Sequence, residues 1–501
     1  MSAFSIIYAL VRKRGRHTRK KTEVGDGYKR GMSFHRPNQC KQLDIAGNIS
    51  FLRTARRSTA KRAQTTATAS KVVGGSKKKR KRIPVVGESL PCHFVSPPYE
   101  ISTDTLFPIQ ASLVWTRVAV VCDPLSGHLF NLEGRKWKGL RSKLTPAFSS
   151  GKLKRMFYLL VECCEELQRL INEASNFGDQ TVEVRELAAK FIIDVIGSCA
   201  FGIQINALTD EESEFHKAVK KLSKPSYKAT LWRMLRTAMP RLYRLMGVQL
   251  VDPSVTQFFM HVVSQMISQR ESNGTTRHDF MDLLIELKNK ELDENTIAAQ
   301  AFGFFVAGYE TSSNTIAFCL YELALNQEIQ DKTRREIHNA IGDGKLTYDA
   351  VQEMKYLDMV ILETLRKYPP APLFARRCEY KYRIPDSNVE LPAGLRVVIP
   401  IYGLHHDPNY YPDPARFDPE RFTEENKRTR HPYTYLPFGE GPRNCIGMRF
   451  ALLQIKMGII AFLKDHRIEI CEKSPMPIKF SRRSLVTASE AGYWLTITSS
   501  S

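Results

Sequence analysis

The chain has 501 residues, of which 43% are hydrophobic, and this is enough apolar sequence to bury a large core. Its 10 cysteines include no CxxC pair, which argues against a disulfide scaffold and against structural zinc. The formal net charge is +22, but residues 1–82 hold 23 Lys and Arg against 3 acidic residues, and so contribute +20. The remaining residues carry only +2, so their net charge gives no reason to expect a polyanion-binding surface outside residues 1–82.

The N-terminal segment is polar and has no sustained hydrophobic period. We predict that residues 1–95 form a basic, disordered arm. Its run SKKKRKR at 76–82 is typical of a nucleic-acid or nuclear-localisation patch, or of a tether to a membrane surface, and a solvated tail is the simplest interpretation. The apolar stretch SAFSIIYALV at 2–11 has 10 residues, which is short for a membrane anchor.

From about residue 122 onward, apolar residues recur every 3 or 4 positions, as in 153–174 and 184–202. This period predicts long amphipathic helices separated by short loops. Strand-like patterns are confined to short stretches such as 395–402 and 492–499. The sequence therefore predicts a mainly α fold with a small β part.

The first polar pair in the helical body is Trp137 with Arg141, one helical turn apart. An indole N–H and a guanidinium on one face suit an anionic group, although surface side chains that bury only their stems give the same pattern. The pair alone does not distinguish a binding site from a surface.

A second constellation lies in the apolar stretch 298–325, which predicts a core helix of roughly 40 Å. Ala307, Gly308 and Thr311 recur on one face and leave a gap beside a hydroxyl, next to Glu310. A threonine that bonds its own helix backbone is the structural alternative.

Two further motifs follow in chain order. Glu363 and Arg366 in ETLR lie at i and i+3, where an ion pair is worth little if it is exposed. Arg421 in PERF offers a second guanidinium that can hold the same carboxylate. By themselves these residues say little about function, and we interpret His405 and His406 as structural.

The last motif, FGEGPRNCIG, places Cys445 in a glycine-rich loop just before helical sequence. A helix N-terminus favours a thiolate, which can be a nucleophile or a metal ligand. No histidine base lies nearby in sequence, and a lone cysteine does not form a zinc site. A haem iron needs only one protein thiolate, because the porphyrin supplies four nitrogens, and Arg443 can then pair with a propionate.

FGEGPRNCIG, AGYETS, ETLR and PERF, taken together, resemble the motifs of the cytochrome P450 family of haem-thiolate monooxygenases. The wider sequence is similar to the microsomal enzymes of insects that metabolise xenobiotics. The resemblance runs from about residue 122 to the C-terminus, so we expect 122–501 to be the catalytic domain and 96–121 to be a divergent segment. Since the first 121 residues do not match, we expect the N-terminal part of that fold to be missing.

The resemblance implies that Cys445 is the axial ligand of a haem b iron. It implies a second set of cofactor contacts, namely Trp137, Arg141, Arg376, Arg443, Phe438, Gly439, Gly447, Ala307 and Gly308. Thr311 and Glu310 would supply protons during oxygen activation, while Glu363, Arg366 and Arg421 would hold the chain segment that presents the haem loop.

The resemblance also implies the reaction and its partners. One oxygen atom of O2 would enter a small apolar substrate, in xenobiotic metabolism or in the metabolism of an endogenous hormone or lipid. Electrons would come from NADPH through NADPH-cytochrome P450 reductase, with cytochrome b5 as an additional donor. We expect the cytosolic face of the endoplasmic reticulum membrane as the location and no nucleic-acid partner.

Several alternatives stay open at the level of sequence. The chain can be an inactive or haem-less truncated member of the family, or a haem-thiolate isomerase or dehydratase, although those reactions do not need the Glu310–Thr311 pair. A nucleic-acid binder that uses the basic arm is a further alternative, and its affinity would depend on salt. The arm also has the composition of a mitochondrial transit peptide, which gives the mitochondrion as an alternative location.

Overall fold

The structure is a computed structural model that describes 123–176, 180–210, 214–223, 251–274, 276–288, 292–342, 344–385, 387–482 and 484–499, and a few single residues between 231 and 246. The predicted arm and the segment 96–121 lie outside these residues. Within them, the α-helices are α1 (Gly134–Leu144), α2 (Ser150–Asn176), α3 (Val184–Ile196), α4 (Glu214–Ser223), α5 (Pro253–Asn273), α6 (Phe280–Lys288), α7 (Glu294–Leu325), α8 (Gln327–Ile341), α9 (Tyr348–Glu353), α10 (Lys355–Lys367), α11 (Ile401–His405), α12 (Glu424–Thr429) and α13 (Met448–Leu463).

The strands are short and form small antiparallel sheets. They are β1 (Thr181–Glu183), β2 (Phe374–Arg377), β3 (Tyr382–Arg383), β4 (Glu390–Leu391), β5 (Arg396–Ile399), β6 (His466–Ile470) and β7 (Trp494–Ser499). The order β1-β7-β6 makes one sheet, while β2 pairs with β5 and β3 with β4. The mainly α fold with a small β part is thus confirmed.

The long helix α7 runs through the core, as its nearly continuous apolar sequence predicts. Its N-terminus is capped by Asp293, whose side chain accepts the Thr296 N–H. It packs against α3 and α13, and two of its glycines permit close approach. A Cβ on Gly303 would lie 2.7 Å from the Cβ of His128, and one on Gly308 would lie 2.9 Å from Ile196.

Helix α13 crosses α7 locally in the same direction. Gln454 donates to the hydroxyl of Ser312, and four residues later in each helix Gly458 meets Ile316, whose Cδ1 would lie 2.7 Å from a Cβ on that glycine. Since α13 begins at Met448, its N-terminus lies on the side of this contact that faces the earlier residues of α7. The packing therefore brings the Cys445 loop, which precedes α13, toward the stretch of α7 around Thr311.

The strand prediction at 395–402 is only partly right. The strand β5 ends at Ile399, and α11 begins at Ile401 after Pro400. Proline lacks a backbone N–H for the ladder, which explains why the strand ends there. This early turn into α11 places His405 in the interior, which matters for the site described next.

Candidate active site

The loop that carries Cys445 has a defined backbone. Gly439 and Gly441 have φ angles of 70° and 80°, a region that residues with a Cβ rarely adopt. The N–H of Cys445 donates to the carbonyl of Phe438 at 2.8 Å, which closes the loop on itself. The loop therefore needs glycine at these two turns.

The Cys445 side chain is exposed, in contrast to the buried thiols of Cys163, Cys199 and Cys319. The protein that surrounds it on its other sides still raises the pKa of the Cys445 thiol, because a thiolate there is poorly solvated. The Gly447 N–H and the charge of Arg141 act in the opposite direction but do not outweigh burial. The expectation that the helix N-terminus alone would stabilise a free thiolate is therefore not met.

This result bears on the choice between nucleophile and metal ligand. A nucleophilic cysteine needs a lowered pKa, whereas a bound metal cation displaces the proton whatever the pKa of the free thiol. Within the part of the chain that the structure describes, no three His, Cys, Asp or Glu residues lie together as a metal site. A single protein thiolate such as that of Cys445 suits a metal whose other ligands come from a cofactor.

Arginine side chains gather beside the cysteine loop. Arg141 donates through both terminal nitrogens to Asn444, to the backbone oxygen and to Oδ1, each at 2.9 Å. The guanidinium of Arg443 stacks 4.6 Å above the ring of Trp137 and donates to the carbonyls of Phe130 and Leu132.

These guanidinium groups repel one another. The pKa of Arg443 is lowered by burial and then by the nearby charges of Arg376 and Arg141. The third of them, Arg376, lies on β2 next to the loop, since its Nη2 would be 3.8 Å from a Cβ on Gly439. Three cations in one place form a binding region for anionic groups such as carboxylates.

Between its exposed ends, helix α7 has one further exposed stretch in the middle of its length. Every residue from 303 to 311 except Phe305 is at least partly exposed, whereas the flanking residues 297–302 and 312–324 are buried. Val306 reaches 44% exposure in an otherwise apolar core helix. The predicted gap at Ala307 and Gly308 is therefore an opening in the core.

Within this opening, the hydroxyl of Thr311 donates to the carbonyl of Ala307 at 2.7 Å. This bond to its own helix backbone is the structural alternative to a role in proton delivery. A hydroxyl that donates in this way keeps its lone pairs to accept a hydrogen bond from another group. Glu310 precedes it in the same partly exposed stretch.

Phe148 connects this opening with the cysteine loop. Its Cε1 would lie 3.7 Å from a Cβ on Gly447, and its ring centroid is 5.2 Å from that of Phe304, edge to face. The exposed stretch of α7 and the start of α13 therefore border the same region of the protein. Sequence analysis did not single out Phe148, since a phenylalanine in a short apolar segment reads as packing.

Glu363 and Arg366 are completely buried and form a bidentate ion pair, at 2.7 and 2.8 Å. Arg366 also donates to the carbonyls of His405 and Pro414. Arg421 approaches the same carboxylate at 3.5 Å, from the 3-10 turn Pro419–Phe422. The structure thus brings the three residues together, and the ion pair is neither exposed nor weakly held.

Two site residues were missed or undervalued. Asn444 was not predicted from the sequence, although its side-chain oxygen accepts a hydrogen bond from Arg141. His405 was read as structural, and the structure shows both of its ring nitrogens bonded, one to the backbone of α10 and one to the backbone before the cysteine loop. The sequence signal for His405 was its position as a polar residue in a short apolar segment that follows a predicted strand.

Comparison with known proteins decides the family. The model of the family described as "Cytochrome P450" matches residues 119–496. The chain belongs to the cytochrome P450 family. Probable cytochrome P450 6a13 of Drosophila melanogaster is 44% identical over 74% of this chain and 76% of its own length. Cytochrome P450 6a2 of the same species and cytochrome P450 6k1 of Blattella germanica are 41% and 40% identical over 75% of this chain, and over 78% and 76% of their own lengths.

As a member of this family the protein is a P450 monooxygenase, an enzyme that uses a haem iron, O2 and electrons from a redox partner. The residues present fit that cofactor: one exposed thiol, guanidinium groups for anionic substituents, and an apolar opening in α7. Among the described residues, we find no helix with the length and hydropathy needed to cross a bilayer.

Proposed function

We propose that this P450 inserts one oxygen atom of O2 into a small apolar substrate, as part of xenobiotic metabolism or of the metabolism of an endogenous hormone or lipid. The observation that carries the proposal is the exposed stretch of α7 that borders the Cys445 loop through Phe148. An opening lined by Phe304, Val306 and Ala307 favours apolar molecules. The similarity to insect cytochromes P450 of the 6a group supports the same class of reaction.

The proposed cofactor is haem b, whose iron the thiolate of Cys445 would hold. When bound, it supplies oxygen activation at an iron that receives electron density from the thiolate. Arg141, Arg376 and Arg443, with Trp137 below the last, would hold the propionates.

The loop backbone would let the cofactor approach closely. Gly439 has a positive φ, which favours glycine. At Gly447 the absence of a Cβ leaves space beside the ring of Phe148. Phe438 would cover the loop face, and its carbonyl holds the N–H of Cys445. In α7, Ala307 and Gly308 would leave room for oxygen and substrate, because neither carries a long side chain.

Proton delivery is the proposed role of Thr311 and Glu310. The Thr311 hydroxyl donates to the Ala307 carbonyl, so its oxygen can accept a hydrogen bond from a water molecule in the opening. Thr311 would thereby position this water molecule as the proton donor, and Glu310, in the same stretch, would supply the water with a new proton.

Electrons would come from NADPH through NADPH-cytochrome P450 reductase, with cytochrome b5 as an additional donor. We place the enzyme at the cytosolic face of the endoplasmic reticulum membrane, by analogy with the microsomal enzymes that it resembles. The division into an arm at 1–95, a divergent segment at 96–121 and a catalytic domain at 122–501 stays a prediction, and so does the absence of a nucleic-acid partner.

The test is oxygen insertion under isotopically labelled dioxygen. The full chain with haem, NADPH and reductase should convert at least one member of a panel of small apolar compounds to a product that carries one labelled oxygen. Product formation without the label, or an isomerised product that needs no NADPH, would contradict the proposal.

Thr315 offers a matched control for the proton-delivery role. Its hydroxyl makes the same backbone bond one turn later, to the Thr311 carbonyl at 2.7 Å, but the residue is buried. T311A should increase the NADPH consumed per product by roughly tenfold or more, in the range of a lost general acid, whereas T315A should leave that ratio unchanged. Equal ratios in both variants would remove Thr311 from the mechanism.

A further inference from the structure

His405 is a fully buried residue at the end of the short helix α11. Its Nε2 lies 2.9 Å from the backbone nitrogen of Leu436, and its Nδ1 lies 3.2 Å from the carbonyl oxygen of Arg366. Because the Leu436 amide can only donate, Nε2 must be the acceptor. Nδ1 therefore carries the proton and donates to Arg366, so the imidazole is neutral.

The bond to Leu436 continues into the cysteine loop. The carbonyl of Leu436 accepts the N–H of Gly439 at 3.1 Å, and the carbonyl of Phe438 accepts the N–H of Cys445 at 2.8 Å. His405 thus begins a series of backbone hydrogen bonds that ends at the proposed iron ligand.

The other side of His405 is equally fixed. The Nη1 of Arg366 donates to the His405 carbonyl at 3.0 Å, so the two residues bond reciprocally. Arg366 is in turn held by the carboxylate of Glu363. The imidazole also stacks on Tyr435, with ring centroids 5.3 Å apart, and the Tyr435 hydroxyl donates to the Leu362 carbonyl on α10.

We propose that His405 is a positioning residue for Cys445, which transmits the fixed geometry of the Glu363–Arg366 pair to the loop through its Nε2 bond to Leu436. This inference rests on the proposed ligation of haem by Cys445. The buried imidazole holds the loop at its start, because the Leu436 N–H has no other hydrogen-bond partner among the described residues.

The environment keeps the imidazole in the form that this role needs. Burial, followed by the charges of His406 and Arg366, lowers the pKa of His405 to about 3. The adjacent His406 makes a different contact: its Nδ1 bonds to the Tyr402 carbonyl of its own helix, and its ring stacks on Tyr402. His406 is therefore a natural control.

The test compares H405Q with H405M in the full chain loaded with haem. The two side chains have nearly the same shape, but only glutamine places an acceptor oxygen near the position of Nε2. The readout is the spectrum of the reduced carbon monoxide complex, as the ratio of thiolate-ligated haem, with its strongly red-shifted Soret band, to haem without the thiolate. Far-ultraviolet circular dichroism confirms that each variant is folded.

We expect H405M to lower this ratio by roughly tenfold, the cost of one buried donor without an acceptor, while H405Q keeps most of it. H406M should match the unsubstituted chain. Should H405M not fold, H405N takes its place, because asparagine can keep the donation to Arg366 and still lack the bond to Leu436.

A ratio that survives H405M, or one that falls equally in H405Q and H405M, would overturn the inference, since shape or general stability would then explain the residue. A loss in H406M of the same size would overturn it too. If the unsubstituted chain shows no red-shifted band, the proposed ligation fails first and this inference falls with it. The two failures are therefore distinguishable.

Discussion

At the scale of single residues, the site depends on a few positions whose chemistry has no close substitute. Cys445 is exposed while the other cysteines described here are buried or partly buried, and its thiol pKa is raised rather than lowered. That combination favours a ligand whose proton is displaced by a metal over a free nucleophile. The glycine-rich loop motif in the sequence indicated Cys445 as the ligand. The direction in which the pKa of its thiol shifts depends on burial, which the motif does not show.

Gly439 and Gly441 give a residue-scale prediction. Both have positive φ, so alanine at either position should cost about 1–2 kcal/mol in the free energy of unfolding. At Gly439 the new Cβ would also lie 3.3 Å from the Phe374 ring, whereas at Gly441 nothing lies within 4 Å. Urea unfolding should therefore show a larger loss for G439A than for G441A, and equal losses would contradict the described packing.

At the scale of elements, the contact between α7 and α13 sets how the opening and the cysteine loop meet. Gln454 and Ser312 are both buried, and the amide oxygen of Gln454 has no hydrogen-bond partner among the described residues. The apolar period predicted both helices well, because period follows from burial of one face. It could not predict their crossing, since that depends on Gly458 and Ile316 fitting together across about 140 positions of sequence.

A double-mutant cycle tests this contact. S312A should cost about 1–3 kcal/mol in urea unfolding, because it leaves the buried Gln454 amide without its acceptor. Adding Q454M removes the amide as well, so the double variant should lose less than the sum of the single losses. Additive losses would show that the two side chains do not interact.

Short motifs show which residues can interact, but not how deeply the tertiary fold buries them. ETLR and PERF predicted the residues that surround one carboxylate, but at i and i+3 an ion pair reads as a weak surface feature. Only the tertiary fold buries it completely and adds the carbonyls of His405 and Pro414 as acceptors for Arg366. His405 was undervalued for the same reason, since its partners lie 39 and 31 positions away.

At the scale of the whole molecule, buried and partly buried histidines connect stability to pH. The pKa of His406 is lowered to about 4, mainly by burial, as are those of His128, to about 4, and His405, to about 3. Between those values and about 6.5, the unfolded chain binds protons that the folded protein does not. The stability that these residues provide above about pH 6.5 is therefore lost as the pH falls toward 4.

H406Q measures one part of this effect. The urea midpoint of the unsubstituted chain should fall between about pH 7 and about pH 5, and the fall should be smaller in H406Q, which has no imidazole to protonate on unfolding. H338Q removes an exposed histidine on α8 and serves as the control. A slope in H406Q as steep as in H338Q would contradict a neutral, partly buried His406.

The proposed function requires that this P450 chain binds haem through Cys445. The most direct measurement is the spectrum of the reduced full chain with and without carbon monoxide, beside that of C445A. The account predicts a strongly red-shifted Soret band in the unsubstituted chain and its absence in C445A. Folded, soluble protein without a haem band, or a red-shifted band that survives C445A, would contradict it.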